Sequence, residues 1–302
     1  MTKINFGVDL DFAVNRYPEP EEWARLLSEE LGVRHAQFRS DLLQPHFPDD
    51  VIKEQISRIK ESCKEYDIKL LHTFTSQRWS YCGHPDEKIR NYWLSWLKRF
   101  AEISARLGAI STGSRLGIYS VKDFNNRREL IFKEIVKRWH ELAEHSKSAG
   151  LKMLTFEHMS IPRELAETIS ETKRILDAFN NEKKSAIPIL LCLDTDQGNA
   201  MSGNPEDGDH YVWIKTFGKV APLMHLKQRI KDNVTSGKPF TPEYNKDGII
   251  FPEKVIKAIE DSGAKEITLY LEPSFRERLP QDNNVISDLK QSVEFWRPYI
   301  SE

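Results

Sequence analysis

Short apolar or alternating runs give way to longer amphipathic stretches eight times along the chain, and no other feature limits the fold so strongly. The short runs are "INFGVDL" (4–10), "HAQFRS" (35–40), "KLLHTFT" (69–75), "GAISTGS" (108–114), "KMLTFEH" (152–158), "ILLCLDTD" (189–196), "PLMHLKQ" (222–228) and "EITLYLEP" (266–273). Their shortness and their Gly, Pro and charged flanks mark them as strands rather than buried helices. Between them lie 20–32, 49–66, 86–108, 127–150, 162–179, 208–219, 251–263 and 285–296, all amphipathic. In 49–66, for example, Ile52, Ile56 and Ile59 recur at helical spacing, while 86–108 and 127–150 each end in Gly, a helix stop.

Strict strand–helix alternation implies a parallel sheet with crossover helices, and eight such units are the number that closes a barrel. The expected class is therefore α/β, a (β/α)8 TIM barrel, with residues 1–302 forming a single domain. No linker or low-complexity segment divides the chain. An open doubly wound sheet is the competing architecture, but no GxGxxG follows the first strand, and "GNAMSGNPEDGD" (198–209) reads as a loop.

Charge and cysteine content narrow the function classes. A formal net charge of −2 gives no support for a nucleic-acid partner, which usually meets a basic excess. Three cysteines (Cys63, Cys82, Cys192) without CxxC spacing argue against a disulfide framework and for a reducing, cytoplasmic setting. The first residues, MTKINFGVDLDF, lack a signal-peptide core, and no apolar run approaches the ~20 residues of a membrane span.

Four of the predicted strands run into a metal-ligand residue. Glu157, Asp194, His225 and Glu272 fall at the ends of the fifth, sixth, seventh and eighth. In a β/α barrel those ends open on one face, and neighbouring strands are about 4.8 Å apart, so four tips can converge. Three converging carboxylates repel one another unless a cation sits among them, and an imidazole completes its ligand set. Three oxygens and one nitrogen favour one divalent ion, Mn²⁺, Mg²⁺ or Co²⁺, with Zn²⁺ also compatible. A lone strand-end acid is more often a helix cap, and Asp196 in "DTD" competes with Asp194 for the ligand role.

These residues resemble the xylose-isomerase-like barrel family of sugar isomerases and epimerases, whose Glu-Asp-His-Glu metal set the four match in order. The closing stretch 247–273 is similar to the family's last helix and last glutamate. Within the family, "EHMSIPRE" and "MHLKQ" resemble the tetrulose-phosphate 3-epimerases, which implies D-erythrulose 1-phosphate as a candidate substrate and a possible homodimer. One departure is Gln197, where many relatives carry a His; it joins the substrate-contact candidates. A metal-dependent phosphodiesterase of the endonuclease IV type is the alternative, and it needs that His among other ligands absent here.

The expected chemistry is C3 epimerisation of a small ketose or ketose phosphate through a metal-bound enediolate, with Glu157 and Glu272 as the acid/base pair. The resemblance implies the same pair. Aldose–ketose isomerisation shares the enediolate, and a sugar-sensing barrel would share the pocket without turnover. Candidate substrate contacts are Arg39, Arg115, Lys227, Arg229 and Arg276 for a phosphate, and His72 and Gln228 for hydroxyls. Trp79, in the loop "SQRWSYCGHP" (76–85), is a candidate to cover the substrate, and 229–248 exceeds the usual loop length. No GxSxG, Walker or HExxH motif appears, so nucleophilic hydrolase, P-loop and zincin classes gain no support.

Overall fold

The structure is a computed structural model and describes residues 2–77, 79–182, 184–231, 237–275 and 282–300. Its strands are β1 (Lys3–Asp9), β2 (His35–Arg39), β3 (Lys69–Thr75), β4 (Ser111–Ser114), β5 (Met153–Glu157), β6 (Ile189–Asp194), β7 (Leu223–Leu226) and β8 (Glu266–Leu271). Each pairs in parallel with the next in chain order, and β8 pairs with β1 to close the barrel.

The helices are α1 (Pro20–Arg25), α2 (Asp49–Glu65), α3 (Glu87–Leu107), α4 (Val121–Asn126), α5 (Arg128–Ala149), α6 (Ile169–Asp177), α7 (His210–Phe217), α8 (Pro242–Asn245), α9 (Pro252–Asp261) and α10 (Val285–Trp296). Local chemistry sets their ends. The Asp86 carboxylate accepts from Lys88 N–H to start α3, and Gly108 stops it at φ 92°. Gly150 stops α5 in the same way at φ 105°. Helix α5 buries Ile131, Ile135, Trp139 and Leu142, and the Trp139 ring packs on Phe156 and Phe179. A buried aromatic of this kind is worth about 3–5 kcal/mol against alanine. Among the described residues no helix is long and apolar enough to cross a membrane.

Two expected starts shift by more than two residues. The fourth strand begins at Ser111 rather than 108, because Gly108 is spent ending α3. The sixth helix begins at Ile169 rather than 162: Leu165 and Ala166 take positive φ (62° and 54°), so 162–164 form only a single 3-10 turn. Thr168 then caps α6 by accepting from Glu171 N–H. The long segment after β7 contains α8 and returns twice to the strand extension, through Gln228 with Lys238 and Ile230 with Gly248.

The strand pleat decides what enters the barrel, since residues two apart share a face. The inward series includes Asp9; Gln37 and Arg39; His72 and Phe74; Ser111 and Gly113; Glu157; Cys192 and Asp194; Leu223 and His225; Tyr270. Phe74, Cys192, Leu223 and Tyr270 form a buried apolar group of their own, on which the site rests. Gly113 is required here, because a Cβ at that position would lie 2.3 Å from Thr155 Oγ1 and 2.7 Å from the Phe74 ring.

Candidate active site

At the C-terminal mouth, one ligand atom each from Glu157, Asp194, His225 and Glu272 lie within 4.8 Å of one another, and all four residues are buried. Strand geometry explains the convergence. Glu157 and Asp194 are the last residues of β5 and β6, His225 lies within β7, and Glu272 directly follows β8. His225 Nδ1 lies 2.9 Å from Glu157 Oε1, 3.0 Å from Glu272 Oε2 and 3.9 Å from Asp194 Oδ2. Its other nitrogen, Nε2, is 2.7 Å from Gln37 Oε1. Burial would lower the His225 pKa, but Cys192, Glu272 and Glu157 hold it well above the usual imidazole range, so Nδ1–H donates to Glu157 while Nε2–H donates to Gln37. Giving up the Nδ1 proton would free the lone pair a metal ligand needs, with Nε2–H still held by Gln37.

The donor set fits a divalent cation. Its three carboxylates and one imidazole suit an oxygen-preferring ion. Cys192 Sγ also approaches His225 Nε2, at 3.6 Å, and forms a second candidate group with Glu157 and His225.

Cations surround the carboxylates. Lys227 Nζ lies 2.5 Å from Asp194 Oδ2 and 2.6 Å from Glu272 Oε2. The buried Arg39 guanidinium bridges Glu272 and Asp9, with Nε 2.6 Å from Asp9 Oδ1. Burial raises carboxyl pKa values, and these contacts decide whether it wins. For Asp194 burial outweighs the nearby Lys227 and the pKa rises to about 7. Asp9 also reaches about 7, since burial exceeds the pull of Arg39. At Glu157 burial is overcome by the hydrogen bond and charge of His225, and the pKa falls to about 2. At Glu272 burial loses to His225, Lys227 and Arg39, which hold the group well below the usual carboxylate range.

The other expected contacts are placed unevenly. Arg115 follows β4 in the inward series and lies 3.8 Å from Glu157 Oε2. Arg39 is not a free phosphate donor after strand two; it ends β2 and is committed to Asp9 and Glu272. Lys227 likewise enters the carboxylate cluster. Gln197 borders the site and accepts from the Ser160 hydroxyl. Arg229 is buried close enough to His210 to depress that imidazole, after burial itself. Trp79 is half exposed and stacks on Trp93 at 5.5 Å, with its indole N–H on Gln77. Arg276 lies outside the described residues.

Gln228 does not face substrate or solvent. It is buried, and its Oε1 accepts from Arg229 N–H and Ile250 N–H, both at 3.0 Å. Its Nε2 donates to Asn245 Oδ1 at 2.9 Å and Ile250 O at 3.2 Å. The side chain therefore ties the segment after β7 to the strand end. Gln228→Leu should cost about 3 kcal/mol by stranding buried amides, read as a lower urea midpoint at unchanged slope. An unchanged midpoint would mean water replaces the amide without loss.

His72 sits inside the barrel with Nδ1 2.7 Å from Ser111 Oγ and its ring edge-on to Tyr270 at 6.0 Å. Burial, reinforced by His35, lowers its pKa to about 3, and burial with Arg229 lowers that of His210 to about 4. A histidine held neutral in the fold takes up protons mainly when unfolded. Its contribution is thus complete above the unfolded pKa near 6.5 and is lost as pH falls toward these lower values. Between pH 7 and pH 5, His72→Gln should reduce the acid loss of unfolding free energy by about 2 kcal/mol. Equal acid sensitivity in both proteins would exclude His72 as a source.

Two residues beside the cluster, Gln37 and Asp9, are absent from the sequence-level candidates. Asp9 carried the same signal as the candidate ligands Glu157, Asp194 and Glu272, a carboxylate ending an apolar strand. Gln37 carried only its place in the alternation of β2.

The D-erythrulose 1-phosphate 3-epimerase of Brucella abortus (strain 2308) is 35% identical over 301 residues, covering 98% of this chain and 96% of that one. Among solved structures, a protein from Rhodospirillum rubrum ATCC 11170 superposes with a TM-score of 0.88 at 23% identity, covering 98% of this chain and 99% of that one. The zinc-bound IOLI protein superposes at 0.70 with 17% identity, covering 99% and 100%. Residues 26–299 match the xylose isomerase-like TIM barrel family. The chain belongs to that family.

Proposed function

We propose that the chain is a divalent-metal-dependent epimerase acting at C3 of a ketose phosphate, with D-erythrulose 1-phosphate the first substrate to test. The observation that carries this reading is the pair Glu157 and Glu272, which approach His225 Nδ1 at 2.9 and 3.0 Å from strands on either side of Asp194 and His225. Such a pair suits proton removal on one face of a carbon and return on the other. The substrate class rests on the 35% identical relative named D-erythrulose 1-phosphate 3-epimerase.

Glu157, Asp194, His225 and Glu272 would hold the ion, which when bound supplies Lewis-acid polarisation of a carbonyl. The chain's own groups do the rest. Glu157, with Oε2 facing Arg115 at 3.8 Å, takes or gives a proton at C3. Glu272, oriented by Arg39 and Lys227, serves the opposite face. The resulting enediolate gains negative charge beside the Lys227 ammonium. The oxygen-rich ligand set favours Mn²⁺, Mg²⁺ or Co²⁺, and zinc in the IOLI protein keeps Zn²⁺ in the panel.

Proton NMR in D₂O with the metal-loaded protein and a panel of ketoses and ketose phosphates tests the reading. Deuterium entering at C3 is the expected result. Entry at C1 instead would make the protein an aldose–ketose isomerase. Absence of exchange with every substrate, with metal bound, would remove the epimerase reading and direct attention to phosphodiester hydrolysis or sugar sensing.

A further inference from the structure

We propose that Arg115 is the anion anchor of this site and selects a ketose phosphate over the corresponding neutral ketose. This rests on the epimerase reading for the identity of the sugar. The anchoring itself rests on geometry.

Arg115 follows Ser111 and Gly113 in the series of β4 residues that enter the barrel, so the pleat directs it to the mouth. Its side chain is only 11% exposed. Nε lies 3.8 Å from Glu157 Oε2, and Nη1 lies 4.0 Å from Glu164 Oε1. Those separations orient the guanidinium without satisfying its hydrogens, and both Nε and Nη1 are buried with no hydrogen-bond partner. Buried guanidinium donors left in this state call for an acceptor, and a phosphate monoester supplies several oxygens at once.

The neighbouring cations are already committed. Arg39 is held by Asp9 and Glu272, and Lys227 by Asp194 and Glu272. With one divalent ion, the formal charges of the three ligand carboxylates and Lys227 cancel, so a dianionic substrate group needs a further cation. Among the described residues, Arg115 lies beside the cluster with donors to spare.

The loop that carries it is fixed in advance. Tyr81 bridges Gly117, Ile118 N–H donates to Ser80 O at 3.2 Å, and Tyr119 N–H donates to Arg163 O at 2.8 Å. Gly117 has φ 146°, and a Cβ there would lie 2.8 Å from both Gly83 N and Ser80 O, so glycine permits the two loops to meet. A donor on a fixed platform loses little freedom on binding, which favours selectivity.

The test compares wild type, Arg115→Gln and Arg115→Lys on D-erythrulose 1-phosphate and unphosphorylated D-erythrulose, following C3 exchange, with inorganic phosphate binding measured by calorimetry. The ratio of kcat/KM for the phosphorylated over the neutral ketose should fall about a hundredfold or more in Arg115→Gln and less in Arg115→Lys. Wild type should bind inorganic phosphate, and Arg115→Gln should not. An unchanged ratio, whether both substrates suffer equally or neither does, overturns the inference and leaves Arg115 as a partner of Glu157. Should wild type exchange neither ketose, the epimerase reading fails. Phosphate binding then decides alone: loss of it in Arg115→Gln supports the anchor, while no binding in wild type or equal binding in both overturns it.

Discussion

Glu157→Gln should lower C3 proton exchange by about 10³–10⁴-fold while the protein stays folded and near native stability. The amide keeps the shape of the carboxylate and an oxygen for the contact with His225 Nδ1, 2.9 Å away. It cannot accept the substrate proton. The burial of Glu157 makes the loss hard to bypass, because water has little access to take over the transfer. Glu272 is the less discriminating position for this test. Its oxygens are engaged by Arg39 and Lys227, so a change there also strands two cations. The measurement is deuterium incorporation at C3 by NMR, with metal content determined on the same sample. Full turnover in a metal-replete Glu157→Gln protein would end the two-glutamate mechanism.

Asp194→Ala should weaken divalent-metal binding by more than about 100-fold, beyond what losing a residue that only orients a ligand costs. Asp194 is buried at the end of β6, with Oδ2 3.9 Å from His225 Nδ1 and 2.5 Å from Lys227 Nζ. Removing it deletes one of three oxygens and leaves Lys227 beside Glu272 alone. Asp196→Ala is the control, since that residue lies beyond the strand and its backbone N–H donates to Asp194 Oδ1 at 2.8 Å. Manganese titration by calorimetry distinguishes the two. Unchanged stoichiometry and affinity in Asp194→Ala, with loss in Asp196→Ala, would move the ligand role two residues along the chain.

Lys227 illustrates how far a sequence position and a spatial role can part. Two residues after His225, it reads as a free cation suited to phosphate, but it sits between Asp194 and Glu272. Gln228, next along, reads as a substrate or solvent contact and is consumed by Ile250, Asn245 and Arg229. Neither outcome is legible locally, because the partners lie in other strands or in a loop that returns from well over ten residues away. By alternation along β3, His72 shares one face with Phe74. Its depth in the barrel, beside Ser111 and Tyr270, depended on the register of β3, β4 and β8.

The sequence by itself determined the alternation of strands and helices, hence the barrel, and the order Glu157, Asp194, His225, Glu272 along its rim. Periodicity and strand ends are local properties, and the closed parallel sheet leaves such residues one shared face. Only the tertiary structure decided the partners: Gln37 behind His225, Asp9 and Arg39 behind Glu272, and Arg115 with donors unspent beside Glu157. Those relations depend on strand register and on desolvation, which exist only once the barrel has closed.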